Sequence, residues 1–401
     1  MRTTWNFHSA GQLVFGTGGV GRLGRLIAGR KWRRVLIVTD SPLVAAGVLD
    51  KVRAPLLSAD ITTGVFDGGR PEPTLAAARA SIEAARSFGP EAILGLGGGS
   101  NMDLAKITAV VLAHGGSPEQ YINFDNVPGP VVPLVCVPTT AGTGSEVSHA
   151  AVLTDEANEI KVSILSNHLR PSLALVDPEL TLTCPERATA DSGIDALTHA
   201  IEAYTAVDYA ALDVPDDEPV PYNGRTPVGE CLAEKAIALI GRHLPTAVRA
   251  PRNLAAREGM ALGATIAGLA FSNCAVAVVH ALEYPLGGVL HCSHGAGNGL
   301  LLPHVMRYNL PERKASLARV AALLGEETDG LDETAAAETA IAVVQRLCRK
   351  IGIPARIRDI GGQAEQLPAF AEKAFAIKRL MLLNPRRPTR QDLLDILEAA
   401  L

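Results

Sequence analysis

Four short, unbroken apolar runs constrain this chain more than any other feature. They are Val35-Leu36-Ile37-Val38-Thr39, Ala92 to Leu96, Val131 to Val137 and Leu173-Ala174-Leu175-Val176. None alternates polar with apolar residues, so each predicts a strand covered on both faces. Helical stretches such as Pro73 to Phe88 lie between them. Strand and helix in alternation predict βαβ units and a doubly wound parallel sheet, a Rossmann-like α/β domain. Glu146 to Ile164 reads differently, as two β-rich runs around Asp155-Glu156-Ala157-Asn158 and hence a hairpin. From about Pro185 the text becomes Ala- and Leu-rich with a 3.6-residue period, which predicts an all-helical second domain. At 401 residues the chain is long enough for two cores. The expected division is residues 1–182 and 183–401.

Two segments depart from this pattern. Thr205 to Pro227 holds Pro215, Pro219, Pro221 and Pro227 beside the acidic cluster Asp213, Asp216, Asp217 and Glu218. Proline at that density forbids a helix, so a long loop is expected. Gly259 to Val279 carries no charge, but it contains Thr265, Ser272 and Asn273 and runs straight into His280 and Glu283. It predicts a buried helix broken near Ser272-Asn273 and not a membrane span. The formal net charge is -5, with 37 Lys and Arg against 42 Asp and Glu and no block of five or more like charges. That balance argues against a nucleic-acid or membrane partner and fits a protein that handles small molecules. Six cysteines without a C-x-x-C pair read as reduced thiols of a cytoplasmic protein, and Met1 to Asn6 shows no apolar secretory core.

Leu96-Gly97-Gly98-Gly99-Ser100-Asn101-Met102-Asp103 follows a predicted strand and precedes a helical run from Leu104 to Ala113. Glycines let the backbone approach a ligand, and the unpaired N–H groups of the helix start favour a phosphate. A tight structural turn is the alternative, since the loop lacks the full G-x-G-x-x-G pattern. Asp40 ends the first strand, where a carboxylate either accepts ribose hydroxyls or caps the helix begun by Ser41-Pro42. Thr139-Thr140-Ala141-Gly142-Thr143-Gly144-Ser145-Glu146 follows the third strand with small hydroxyl residues suited to lining a cofactor. Three such loops at the carboxyl ends of successive strands favour a dinucleotide.

A second constellation lies downstream. Asp195 and His199 stand four residues apart on a predicted helix, on one face and one turn apart. His280 closes the uncharged stretch, and His291-Cys292-Ser293-His294-Gly295 follows. One carboxylate and three imidazoles suit a divalent cation with open positions for a ligand oxygen. Composition alone does not choose between His291 and His294.

These motifs resemble the iron-containing (group III) alcohol dehydrogenase family. The matching residues are Gly97-Gly98-Gly99-Ser100 with Asp103 and Lys106, Pro138 to Glu146, Asp195-Ala196-Leu197-Thr198-His199-Ala200-Ile201-Glu202, and His280 with His294-Gly295, in family order along nearly the whole chain. The resemblance implies an N-terminal dinucleotide-binding domain, a helical C-terminal domain as in dehydroquinate synthase, a site in the cleft between, and a homodimer or larger oligomer. It implies Asp195, His199, His280 and His294 as ligands of Fe2+, or of Zn2+ in its place, leaving His291 a bystander. NAD would lie on Gly97, Gly98, Gly99 and Ser100. Asp40 would disfavour NADP, and Asp103, Thr139, Thr140, Thr143, Ser145 and Lys161 would contribute to the cofactor site. The expected reaction is hydride transfer between a primary alcohol or hydroxy acid and its carbonyl form.

Two departures stand out. Tyr284 occupies the place where many members carry a further histidine, so it becomes the candidate for the proton route. The 205–227 insertion is foreign to the short-chain-alcohol members. Both resemble the hydroxyacid-oxoacid transhydrogenase branch, in which Arg225 would clamp a carboxylate. A dehydroquinate-synthase-like lyase and a non-catalytic sensor are the remaining alternatives.

Overall fold

A computed structural model describes residues 2–158 and 160–401. It divides into two compact units, His8–Cys184 and Pro185–Leu401, the second including the N-terminal segment through Phe7. The expected 1–182 and 183–401 division thus differs in placing that first segment with the α/β half. The reason is local hydrogen bonding within the helical unit: Asn6 and Asn223 exchange a reciprocal pair, and the Arg2 guanidinium donates to the carbonyls of Pro215 and Glu218.

In the first unit the strands are, in chain order, β1 (Leu13–Phe15), β2 (Arg34–Val38), β3 (Thr62–Phe66), β4 (Ala92–Gly97), β5 (Asn123–Phe124), β6 (Leu134–Pro138), β7 (Ala150–Asp155), β8 (Ile160–Leu165) and β9 (Leu173–Val176). Six form one sheet in the order β1-β9-β6-β4-β2-β3, and every pairing is parallel. The apolar runs are continuous because both faces are covered. On β2, Leu36 and Val38 pack with Leu75, Ala78 and Ile82 of the helix Leu75–Phe88. Val35 and Ile37 point the other way, toward Val48, Val52 and Leu56 of the helix Val48–Leu57. The expected run from Val131 becomes a strand only at Leu134. β1 and β3 carry too little pattern to be foreseen: β1 has three residues, and β3 (Thr62-Thr63-Gly64-Val65-Phe66) sits at the sheet's edge, half exposed.

The expected hairpin is β7 against β8, antiparallel, with β5 added alongside. Asp155 starts its turn by accepting from the backbone N–H groups of Ala157 and Asn158, an Asx turn. Among the described residues of the second unit, every named element is helical. The uncharged stretch forms the helix Leu254–Phe271, a break, and then the helix Val278–Leu290. Among the described residues no helix is long and apolar enough to cross a membrane. Between the helix ending at Thr205 and the helix beginning at Pro227, the segment is irregular apart from one short turn at Tyr209–Ala211 and an isolated bridge between Asp208 and Arg225.

None of the six cysteines forms a disulfide with another. Burial pushes the thiols of Cys136 and Cys348 up to about 12, whereas Cys231 is exposed. A thiol-alkylating reagent at about pH 8 should therefore label Cys231 first and reach Cys136 and Cys348 only after unfolding. Mass mapping that finds Cys136 modified in the native protein would contradict this packing.

Candidate metal centre and cofactor loop

Three helices of the second unit supply the metal candidates. Asp195 lies mid-way along Glu186–Thr205, His280 is the third residue of Val278–Leu290, and His294 opens His294–Asn309. One ligand atom from each lies within 4.8 Å of the others. The Asp195 Oδ1 atom is 3.9 Å from His280 Nε2 and 3.8 Å from His294 Nε2. His199 is the one expected ligand outside this group. Its Nδ1 is 3.8 Å from Asp195 Oδ2, and its ring lies stacked between Phe271, at 4.2 Å, and His280, at 4.8 Å. His291 is exposed and caps the helix before it in the left-handed region at φ 51, so the structure separates it from His294. Gly295 explains the approach of the last helix: a Cβ there would sit 1.9 Å from the Asp191 carbonyl oxygen. Only glycine lets His294 come down beside Asp195.

Each imidazole of the group has a carboxylate behind it. Glu202 Oε2 accepts from His280 Nδ1 at 2.6 Å, and its Oε1 accepts from the backbone N–H of Val279 at 2.8 Å. Glu283 accepts from His294 Nδ1. A carboxylate on Nδ1 makes that nitrogen the donor and leaves the Nε2 lone pair facing Asp195, the tautomer a metal requires. Asn298 donates from Nδ2 to Asp195 Oδ1 at 2.7 Å and approaches both Nε2 atoms at 3.2 Å. Burial, the largest single influence on Asp195, opposes its ionisation. The three facing imidazoles and the Asn298 bond outweigh it and hold the carboxyl below its ordinary range. An anionic oxygen and two oriented nitrogen lone pairs around a small focus make a donor set that fits Fe2+ or Zn2+.

Glu202, Glu283 and Asn298 were not foreseen as site residues. A signal existed: they follow His199, His280 and His294 by three, three and four residues, so each shares a helix face with a candidate ligand. Tyr284 is half-buried, with its ring 6.1 Å from that of His294. Arg225 does not present a free guanidinium. It bonds Asp208 at 2.7 and 2.6 Å and Ser316 at 3.2 Å, which removes it as a carboxylate clamp.

In the first unit, Gly98 caps the helix Gly99–His114 directly after β4. Gly97 has φ +141, and a Cβ on Gly99 would meet Thr143 Cγ2 at 2.8 Å. Thr139 donates its N–H to the Gly97 carbonyl at 3.0 Å, and Thr140 Oγ1 lies 3.5 Å from where a Gly98 Cβ would be. Asp40 caps its helix through Leu43 N–H at 2.9 Å and accepts from Asn101 at 2.7 Å, so the capping role is realised and one carboxylate ties two of the loops together. Asp103 and Ser145 turn inward. Ser145 donates to Asp103 at 2.7 Å and receives from the wholly buried Lys106 at 2.8 Å, while Asp103 also accepts from Val152 N–H. Burial lowers the Lys106 pKa and raises that of Asp103. Lys161 pairs with Glu72 at 3.0 Å.

Comparison with known proteins agrees with both halves. Residues 10–178 match the family model for iron-containing alcohol dehydrogenase, and residues 222–401 match that for the C-terminal part of the same family. A NAD-dependent methanol dehydrogenase of Bacillus methanolicus is 35% identical over 99% of this chain and 100% of its own. A 1,3-propanediol dehydrogenase of Citrobacter freundii is 38% identical over 95% and 94%. The crystal structure of a 1,3-propanediol oxidoreductase superposes with a TM-score of 0.93 at 36% identity, covering 99% of this chain and 100% of that one. The chain belongs to the iron-containing alcohol dehydrogenase family. Its reaction is the interconversion of an alcohol and its carbonyl form.

The backing carboxylates make a direct prediction. Glu202→Gln should weaken iron binding by about 10–100-fold, because the amide no longer sets the His280 tautomer. Anaerobic metal titration checks it, and unchanged affinity would show that Glu202 only anchors the helix start.

Proposed function

We propose that this protein is an NAD-dependent alcohol dehydrogenase whose ferrous iron is held by Asp195, His199, His280 and His294. The observation that carries this reading is the convergence of Asp195, His280 and His294, each imidazole backed by a buried carboxylate. His199 completes the set on the strength of its place one helical turn from Asp195 and 3.8 Å from the second oxygen of that residue. The four-donor set accepts Zn2+ as well, and metal supply then decides occupancy. The relatives' names, a NAD-dependent methanol dehydrogenase and a 1,3-propanediol dehydrogenase, support NAD and a small primary alcohol or diol. The six cysteines, unpaired into disulfides, support a reducing compartment such as the cytoplasm.

When bound, the iron supplies a Lewis acid for the substrate oxygen, and the nicotinamide supplies the hydride acceptor. The chain's own part is preparation. Glu202 and Glu283 hold two imidazoles in one tautomer, and Asp195 brings the negative charge that a divalent ion needs. Gly97 to Ser100 offer the N-terminus of a 16-residue helix to the pyrophosphate. Asp40 offers its remaining lone pairs to the ribose hydroxyls, where a 2′-phosphate would be repelled. Thr139, Thr140 and Thr143 wall the glycine loop, while Asp103 and Ser145 hold that wall against the hairpin that carries Lys161. Tyr284, one turn beyond His280, is the proton carrier in place of a histidine.

The test is anaerobic loading with Fe2+ followed by NAD and a panel of alcohols, aldehydes and 4-hydroxy acids, read as NADH absorbance. Turnover of a hydroxy acid only with an added 2-oxoacid, without free NADH, would favour transhydrogenation instead. His280→Ala should lose both bound iron and turnover, and a variant keeping full metal content and activity would overturn the assignment. Tyr284→Phe should lower kcat by about tenfold or more with iron content unchanged. A rate within about twofold of the parent would exclude the tyrosine hydroxyl as proton carrier.

A further inference from the structure

We propose that Lys106 is a positioning residue for the dinucleotide: it does not touch the cofactor, but it places the three segments that would. The inference rests on the reading that the 97–100 loop, the 139–145 loop and Lys161 hold NAD. Lys106 lies two turns into the helix Gly99–His114 and is wholly buried. Its ammonium donates to Ser145 Oγ at 2.8 Å, to Ser148 Oγ at 3.1 Å and to the Ala150 carbonyl at 2.7 Å, with the Ser148 carbonyl at 3.3 Å. Ser145 closes the loop that follows β6, and Ala150 opens β7. Asp103, one turn earlier on the helix, completes the set. Its Oδ1 accepts from Ser145 Oγ at 2.7 Å and stands 3.8 Å from the ammonium, while its Oδ2 accepts from the Val152 N–H at 2.9 Å.

A buried ammonium is costly to desolvate, and an apolar side chain of similar length would fill the same space with less penalty. What an apolar side chain lacks is direction. The three N–H donors of a lysine, aimed at oxygens of the loop and of the hairpin, fix both against the helix start through charge-assisted bonds. Each of those segments leads to a proposed cofactor contact. On the loop, the Ser145 N–H donates to Thr143 Oγ1 at 3.3 Å, and Thr143 is the residue that a Cβ on Gly99 would meet. On the hairpin, Thr154 of β7 pairs with Lys161 of β8, whose ammonium is held by Glu72. A ligand that spans several loops binds weakly when it must order them first and tightly when they are already in place. Lys106 does that placing from within the unit, out of reach of the ligand itself.

Lys106→Met keeps the length of the side chain and removes its donors. In the iron-loaded protein the Kd for NADH, read from nicotinamide fluorescence, should rise about tenfold or more. The KM for NAD should rise with it, while kcat at saturating NAD stays within about threefold of the parent and iron content is retained. Joining Asp103→Asn to Lys106→Met removes the buried carboxylate that the single variant leaves uncompensated. The double variant should therefore regain Tm and still bind NADH weakly, which a lysine needed only for charge balance would not do. Ser148→Ala is a milder change that removes one acceptor of the ammonium, guards against a failure of the other variants to fold, and should raise the Kd for NADH about fivefold. NADH affinity within about twofold of the parent in these variants, affinity that returns together with Tm in the double variant, or a kcat that falls as steeply as the affinity would overturn the inference. Failure of the parent protein itself to bind NADH would instead overturn the cofactor reading on which it rests.

Discussion

Three carboxylates of the helical unit, Asp195, Glu202 and Glu283, are almost fully buried, and the rest of that unit is arranged to make this tolerable. A buried charge without a partner costs several kcal/mol, and removing one member of a buried pair costs about 3–5 kcal/mol. Each carboxylate therefore has imidazoles or backbone N–H groups against it. The helices that carry them are held in register by polar contacts as much as by apolar packing. Gly295 is part of the same solution, since a side chain there would keep His294 from coming down beside Asp195.

The α/β unit meets a related problem with a different device. Lys106, wholly buried, donates to Ser145, to the carbonyl and hydroxyl of Ser148 and to the carbonyl of Ala150. Asp103 answers from one turn earlier on the same helix. The helix that opens at the Gly97–Ser100 loop is thereby riveted to the loop after β6 and to the hairpin. A loop held rigid in this way meets ordering costs in advance, and this lysine supplies the rigidity from inside.

Much of this was legible in the sequence because it depends on local pattern. Continuous apolar runs gave β2, β4, β6 and β9, the break after Phe271 was marked by Ser272-Asn273, and the i,i+4 spacing of Asp195 and His199 announced a helix face. What escaped detection depended on tertiary context. β1 and β3 are edge strands whose pairing, and not composition, makes them strands. Asn101 links Asp40 to Leu96 across 61 and 5 residues, a relation no spacing encodes. The roles of Glu202, Glu283 and Asn298 were hidden for another reason. A glutamate or asparagine near a histidine is ordinary on a helix surface, and only burial reveals that it cannot be solvated. Arg225 shows the reverse case, a cation that looked available until Asp208 and Ser316 came to lie against it.

The 205–227 segment grips the link between two helices in a particular way. Asn223 N–H and side chain both bond the Asn273 carbonyl, and Gly224 N–H bonds that of Cys274. Six residues after Cys274 comes His280. The link is held by its carbonyls and by side chains that are buried throughout, with Asn273 Nδ2 donating to the Leu269 carbonyl at 2.8 Å, and Asn223 must keep its amide. Gly224, at φ +77 with the Val207 carbonyl 2.6 Å from where a Cβ would be, must stay glycine. A remote loop is thereby placed under the same constraint as the buried stretch it braces, although only that stretch leads into the histidine.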